Sequence, residues 1–131
     1  MKTNGYKVLV VEDDPPVLEL LDNVLTEGGY QVTPCANGQD ALNTLQDLAE
    51  RDEMPSLIVT DLNLPDVSGL SVISAARQIN QHQPVVVVTG WLKDQLLERI
   101  LEQSHISVLK KPFTAPRLLD WVSANLFPKV A

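Results

Sequence analysis

Residues Ser56–Pro65 read SLIVTDLNLP and combine a short apolar run with a carboxylate at its end. The run from Leu57 to Thr60 is apolar or β-branched, which predicts a buried strand. A strand buried on both faces is typical of a parallel α/β sheet, and such sheets place their functional groups at the carboxyl ends of strands. Asp61 directly follows this strand. The segment therefore predicts a parallel α/β fold with Asp61 at the functional edge of the sheet.

The composition is that of one soluble globular domain. The chain has 131 residues, 44% of them hydrophobic, which predicts a single domain over residues 1–131. No apolar run is long enough to cross a bilayer, and the first residues lack a signal-peptide pattern. The one cysteine, Cys35, has no partner for an internal disulfide, which favours a cytoplasmic location. A net charge of -7 argues against direct binding of nucleic acid.

The rest of the chain alternates between short apolar runs and amphipathic segments. The apolar runs predict strands at about residues 6–11, 30–34, 57–61, 84–89 and 106–110. Helical spacing of apolar residues predicts helices over 15–27, from a cap at Asn37 through Leu48, over 68–79, over 92–103, and from a cap at Thr114 to near Pro128. This alternation predicts a doubly wound (βα)5 fold with a five-stranded parallel sheet in the flavodoxin-like order 2-1-3-4-5.

Polar side chains stand at the carboxyl ends of four of these strands. Glu12 and Asp13 follow the first strand, Asp61 the third, Thr89 ends the fourth and Lys111 follows the fifth. Because strands 1 and 3 are neighbours in this order, the three carboxylates converge in one crevice. They repel one another unless a cation lies between them, and a hard divalent cation such as Mg²⁺ supplies that charge. The pattern predicts a metal site at this edge.

A carboxylate beside a metal ion, a lysine and a threonine is equipped to accept a phosphoryl group. Asp61 is the candidate in-line nucleophile, and Lys111 is a point charge suited to a phosphoryl oxygen. Thr89 can donate a hydrogen bond to another of those oxygens. The predicted product is an aspartyl phosphate that water can later remove.

Four motifs around these residues resemble those of the receiver domains of two-component response regulators. They are VVEDDP at residues 10–15, IVTDLNLPDVSGL at 58–70, VVVVTG at 85–90 and LKKPF at 109–113. Each motif alone is a weak signal, but four in the family's order and spacing are a strong one. The resemblance covers essentially the whole chain and implies a CheY-like fold.

The resemblance also implies a role for each site residue. It implies that Asp61 is the phosphoacceptor, that Asp13 binds Mg²⁺ directly, and that Glu12 binds it mainly through water. It implies that Asn63 lends its backbone carbonyl to the metal. By the same resemblance Thr89 is the switch hydroxyl, Lys111 contacts the phosphoryl group, and the Lys111–Pro112 peptide bond is cis.

One position departs from the family's usual pattern, and Trp91 is a second feature of note. Receivers usually carry Tyr or Phe three residues before the lysine, and here that position is Val108. The aromatic half of the usual threonine–aromatic coupling is therefore absent. Trp91 follows Thr89 by two residues, and the resemblance implies that this position overlooks the acceptor pocket. We hypothesise that its indole shields the acyl phosphate from water and prolongs its lifetime.

The function implied by the resemblance is that of a signalling switch and not of an enzyme with a separate substrate. A histidine kinase or a histidine phosphotransfer protein would supply the phosphoryl group. The surface formed by the fourth predicted helix, the fifth strand and the fifth helix would then change its affinity for a downstream protein, an output domain or a second copy of the chain. The chain ends just after the fifth helix, so no output domain is predicted within it.

Three other classes of function fit the residues less well. A nucleotide- or flavin-binding enzyme needs a loop rich in Gly, Ser or Thr after strand 1, where this chain has Glu12-Asp13-Asp14. A haloacid-dehalogenase-like phosphohydrolase needs a second aspartate two residues after the nucleophile, where Asn63 stands. A degenerate receiver that acts only as a phosphorylation-independent docking module stays open as the alternative because of Val108.

Overall fold

The computed structural model describes residues 5–90, 99, 102 and 105–126. Five strands form one sheet: β1 (Lys7–Val11), β2 (Gln31–Cys35), β3 (Leu57–Thr60), β4 (Val85–Thr89) and β5 (Ile106–Lys110). Their order is β2-β1-β3-β4-β5, and every neighbouring pair is parallel. The predicted sheet and its strand order are therefore confirmed, with strand ends that differ from the prediction by no more than one residue.

Four helices lie in the described part of the chain. They are α1 (Pro15–Glu27), α2 (Gly38–Glu50), α3 (Gly69–Ile79) and the last helix, called α4 here (Ala115–Leu126). The helix predicted at 92–103 falls, apart from residues 99 and 102, outside the described residues, as does Trp91. Among the described helices, none combines the length and the apolar character that crossing a membrane requires.

The sheet is covered on both faces, so its central strands alternate between two apolar cores. In β1, Val8 and Val10 pack with residues of α1 and α4, such as Leu21 and Leu118. The intervening Leu9 and Val11 pack on the opposite face with residues of α2 and α3. All four of these β1 side chains are buried. This two-sided burial is why the central strands read as unbroken apolar runs.

Local capping explains where three of the helices begin. Asn37 accepts a hydrogen bond from the Asp40 amide at 2.8 Å, Ser68 accepts one from the Leu70 amide at 3.1 Å, and Thr114 accepts one from the Arg117 amide at 3.3 Å. These side chains satisfy amides that have no acceptor within the helix.

The start of α1 is different. Asp14 occupies the cap position, but its side chain makes no capping hydrogen bond. Two prolines follow it at the first helical positions, and proline has no amide hydrogen to donate. Asp14 therefore precedes the helix without acting as a side-chain cap.

Candidate functional site

Backbone pairing continues one residue beyond three of the strands and brings their next residues to one edge. The Glu12 amide donates to the Cys35 carbonyl at 3.1 Å, and the Asp61 amide donates to the Val11 carbonyl at 3.1 Å. The Lys111 amide donates to the Thr89 carbonyl at 2.9 Å. The predicted meeting of these residues at the carboxyl edge of the sheet therefore follows from the strand order and register.

Lys111 joins two of the carboxylates directly. Its Nζ donates to Glu12 Oε1 and to Asp61 Oδ2, each at 2.9 Å. Glu12 is 1% exposed and Asp61 is 7% exposed. Two carboxylates this deeply buried are costly unless a cation and hydrogen bonds compensate them. The Lys111 ammonium group is that cation, although Lys111 lies 99 positions after Glu12 in the sequence.

Asp61 is also held by its own loop. The Asn63 amide donates to Asp61 Oδ1 at 3.0 Å, so each carboxylate oxygen has a donor. At the far end of the loop, Gly69 packs against the backbone of Asp61 and Leu62. A methyl group at Gly69 would overlap the Asp61 carbonyl oxygen and lie 2.8 Å from Leu62 Cα. This close approach requires glycine, and it holds the end of the loop against the backbone of Asp61.

Glu12, Asp13 and Asp61 form an acidic cluster that could hold a metal ion. One oxygen from each carboxylate lies within 4.8 Å of the others. Asp13 is exposed, and Glu12 Oε2 is buried without a hydrogen-bond partner. A buried carboxylate oxygen in that state is unfavourable, and a cation would compensate it. Three carboxylates at one open edge are a donor set that suits a hard divalent cation.

The pKa shifts in the site reflect its burial and its charges. Burial is the largest influence on Glu12 and raises its pKa to about 7, although Lys111 acts in the opposite direction. Burial alone would lower the pKa of Lys111, but its hydrogen bonds with Glu12 and Asp61 outweigh that effect and raise it. Lys111 is therefore held in its charged form, while the Glu12 carboxylate gains from any further cation placed beside it.

Thr89 is the last residue of β4 and is 1% exposed. Its neighbour across the sheet is Lys110, and its carbonyl accepts the Lys111 amide. The predicted site residues Glu12, Asp13, Asp61, Asn63, Thr89 and Lys111 all lie at the carboxyl edge of the sheet.

A family model for the response regulator receiver domain matches residues 8–123. The matched range contains every residue of the acidic cluster and the lysine that bridges it.

The chain belongs to the response regulator receiver family.

Two curated relatives are named as response regulators. The chain is 32% identical over 121 residues to the polar-differentiation response regulator DivK of Brucella anthropi, covering 91% of this chain and 94% of that protein. It is 32% identical over 114 residues to a response regulator receiver protein of Anaeromyxobacter, covering 87% of this chain and 46% of that protein. A CheY-like receiver domain protein of Methanospirillum hungatei shares the fold, with a TM-score of 0.82, 23% identity and coverage of 92% and 93% of the two chains.

Receiver domains are signalling switches that interact with histidine kinases and downstream effectors, and they are not substrate-turnover enzymes. Within this receiver, Val108 lies on β5 opposite Val87 and packs, half-buried, against the core beneath α2 and α3. The position that usually holds an aromatic ring is thus filled by a small apolar side chain. The cis Lys111–Pro112 bond that the resemblance implied is present.

The structure adds two features that the sequence analysis did not single out. Asp66, in the loop after β3, binds backbone amides of α2. An open, mainly apolar depression of about 320 Å³ adjoins Lys111 and is lined by Val17, Leu20, Lys111, Pro112 and Phe113. Both depend on contacts between distant segments, so no local sequence pattern signals them.

Proposed function

We propose that residues 1–131 form a phosphorylation-controlled receiver in which Asp61 accepts a phosphoryl group from a phosphohistidine. The donor is a histidine kinase or a histidine phosphotransfer protein. The observation that supports this most strongly is the contact of Lys111 Nζ with both Asp61 and Glu12 at 2.9 Å. The proposed nucleophile and a cation thus lie in contact, at an edge whose acidic cluster could hold a metal ion.

In the proposed reaction a carboxylate oxygen of Asp61 attacks the phosphorus in line. The new P–O bond forms as the P–N bond of the phosphohistidine breaks, and the imidazole leaves with the electron pair of that bond and takes up a proton from solvent. Lys111 moves little, because its Nζ already lies 2.9 Å from Asp61 Oδ2 and can contact an oxygen of the transferred group. Such preorganised charge is the main source of catalysis in phosphoryl transfer.

Mg²⁺ fits the chemistry of the acidic cluster. Glu12, Asp13 and Asp61 would hold it, together with the backbone carbonyl of Asn63. When bound, it would offset negative charge on the phosphoryl oxygens. Glu12 Oε2 supports this assignment, since it is buried and no hydrogen-bond donor in the described part of the chain reaches it.

The bound phosphoryl group would act on the surface through Thr89. Thr89 lies beside Lys111 at the end of β4, where its hydroxyl can donate to a phosphoryl oxygen. We propose that the resulting shift alters the surface formed by the 92–103 segment, β5 and α4, and so controls binding of a downstream protein, an output domain or a second copy. Val108 cannot supply the usual aromatic movement, so Thr89 is the moving group in this proposal. Trp91 is proposed to shield the acyl phosphate.

We expect the donor protein to bind at the apolar depression beside Lys111. Leu20 is 46% exposed there, and Pro112 and Phe113 line the same depression beside Lys111. A donor that covers this surface would bury apolar area while its phosphohistidine reaches Asp61. We place the whole switch in the cytoplasm, in keeping with the buried free thiol of Cys35.

Intact-mass measurement after incubation with acetyl phosphate and Mg²⁺ tests the proposal without knowledge of the donor. We expect one added phosphoryl group in the wild type, none in Asp61→Asn and none when a chelator removes the metal. Asp14→Asn is the matched control, because Asp14 adjoins the cluster but its side chain makes no capping bond, and it should behave as the wild type. An unmodified wild-type protein would favour the phosphorylation-independent docking module.

A further inference from the structure

Asp66 lies in the loop between β3 and α3, yet its side chain is bound to a different helix. Its Oδ1 accepts a hydrogen bond from the Gly38 amide at 3.0 Å, and its Oδ2 accepts one from the Gln39 amide at 2.8 Å. Gly38 and Gln39 are the first two residues of α2, whose amides have no acceptor within the helix. The carboxylate thus joins the β3–α3 loop to α2.

The third amide of α2 has a separate, local acceptor. The Asp40 amide donates to Asn37 Oδ1 at 2.8 Å. Two side chains therefore accept the hydrogen bonds of the first amides of α2. One is that of Asn37, directly before the helix, and the other is that of Asp66 in the β3–α3 loop. A negative charge is favoured at this end of a helix, and the bond from the Gln39 amide, as the largest influence, holds the pKa of Asp66 below its usual value.

Gly38 provides a second contact to the same loop. A methyl group there would overlap Val67 Cγ2 and lie 2.9 Å from the Val67 carbonyl oxygen. Gly38 has helical backbone geometry, so glycine is needed for this close approach and not for an unusual φ. The loop thus lies directly against the helix beside the Asp66 bonds.

The loop held in this way carries the backbone around the acceptor. It begins at Asp61, and the Asn63 amide donates to Asp61 Oδ1. It returns at Gly69, whose amide donates to the Leu62 carbonyl at 3.1 Å. Asp66 fixes the middle of the loop, between these two ends.

We propose that Asp66 is a positioning residue for the metal and phosphoryl site. By anchoring the loop to α2, it holds the Asn63 backbone against the Asp61 carboxylate and so preorganises the acidic cluster for a divalent cation. This inference rests on the function proposed above, since it assigns Asp66 a role at the same site.

Four variants separate positioning from simple helix capping. Asp66→Ala removes both bonds to α2, and Asp66→Asn keeps one oxygen acceptor. Gly38→Ala pushes Val67 away although alanine favours the helix. Asn37→Ala is the matched control, because it removes a capping bond from the same helix end without touching the loop.

Two measurements on the purified protein report the local stability of the loop and the metal affinity of the site. Hydrogen exchange of the Asn63 amide is measured without metal, and the Kd for Mg²⁺ alone is measured by calorimetry. In Asp66→Ala and Gly38→Ala we expect exchange to quicken by about tenfold and Mg²⁺ binding to weaken by about tenfold. Asp66→Asn should lie between these variants and the wild type. Asn37→Ala should lower stability and leave both readouts unchanged.

Equal effects in Asn37→Ala and Asp66→Ala, or no effect in Asp66→Ala, would reduce Asp66 to a helix cap and overturn the proposal. A wild type that binds Mg²⁺ and is phosphorylated would in that case leave the proposed function standing. Faster Asn63 exchange in Asp66→Ala, combined with a wild type that binds no Mg²⁺, would overturn the proposed function and with it the metal role assigned to Asp66.

Discussion

Lys111 makes the contacts on which the proposed chemistry of the site depends most. Its Nζ lies between two carboxylates that are otherwise buried without a shared cation. The sequence could predict Lys111, Glu12, Asp13 and Asp61 as partners, because the strand order alone brings their positions together. It could not predict the burial of Glu12 or the unpartnered Oε2, since both depend on side-chain packing.

Replacing Lys111 with alanine should slow phosphorylation by acetyl phosphate by about 10²-fold, as loss of one preorganised donor to a developing charge usually does. The rate is measured by intact mass against time at saturating Mg²⁺. Lys110→Ala is the matched control, because Lys110 is exposed and makes none of the described contacts to the acidic cluster. A rate in Lys111→Ala equal to that of Lys110→Ala would show that Lys111 has no role in the transfer.

At the scale of elements, the described helices and strands follow from local patterns. Caps at Asn37, Ser68 and Thr114 fix three helix starts, and unbroken apolar runs mark the buried strands. Contacts between elements could not be predicted in this way. Asp66 bonds to an amide 28 residues away, and no spacing rule connects a loop after one strand with a helix after another.

The difference between Asp14 and Thr114 yields a paired prediction. Thr114→Ala should lower the free energy of unfolding by about 1 kcal/mol, because it removes a capping bond from α4. Asp14→Ala should lower the free energy of unfolding by less, because the Asp14 side chain makes no capping bond at α1. Urea unfolding of both variants beside the wild type measures the two changes. A larger loss in Asp14→Ala than in Thr114→Ala would contradict this account of the helix starts.

At the scale of the whole molecule, the sheet order links the site to global stability. The acidic cluster joins residues that follow β1 and β3, and Lys111 adds a residue that follows β5. A ligand that binds this edge therefore contacts segments from most of the chain. Since the cluster forms only in the folded state, binding there should stabilise the fold as a unit.

Mg²⁺ should accordingly raise the free energy of unfolding, by about 2.7 kcal/mol at a concentration of 100 times its Kd. Thermal or urea unfolding with and without Mg²⁺ measures the effect. Asp13→Asn should lose most of it, because Asp13 contributes one carboxylate of the cluster, whereas Asp14→Asn should retain it. Equal stabilisation of both variants would place the metal elsewhere.

The most direct test of the central claim is chemical identification of the phosphorylated residue. Borohydride reduces an acyl phosphate of aspartate to homoserine, which peptide mass spectrometry can locate after treatment with acetyl phosphate and Mg²⁺. We predict homoserine at position 61 alone, and none without Mg²⁺. Homoserine at another aspartate with position 61 unmodified, or reduction products at no position in a phosphorylated sample, would contradict the assignment of Asp61 as the acceptor.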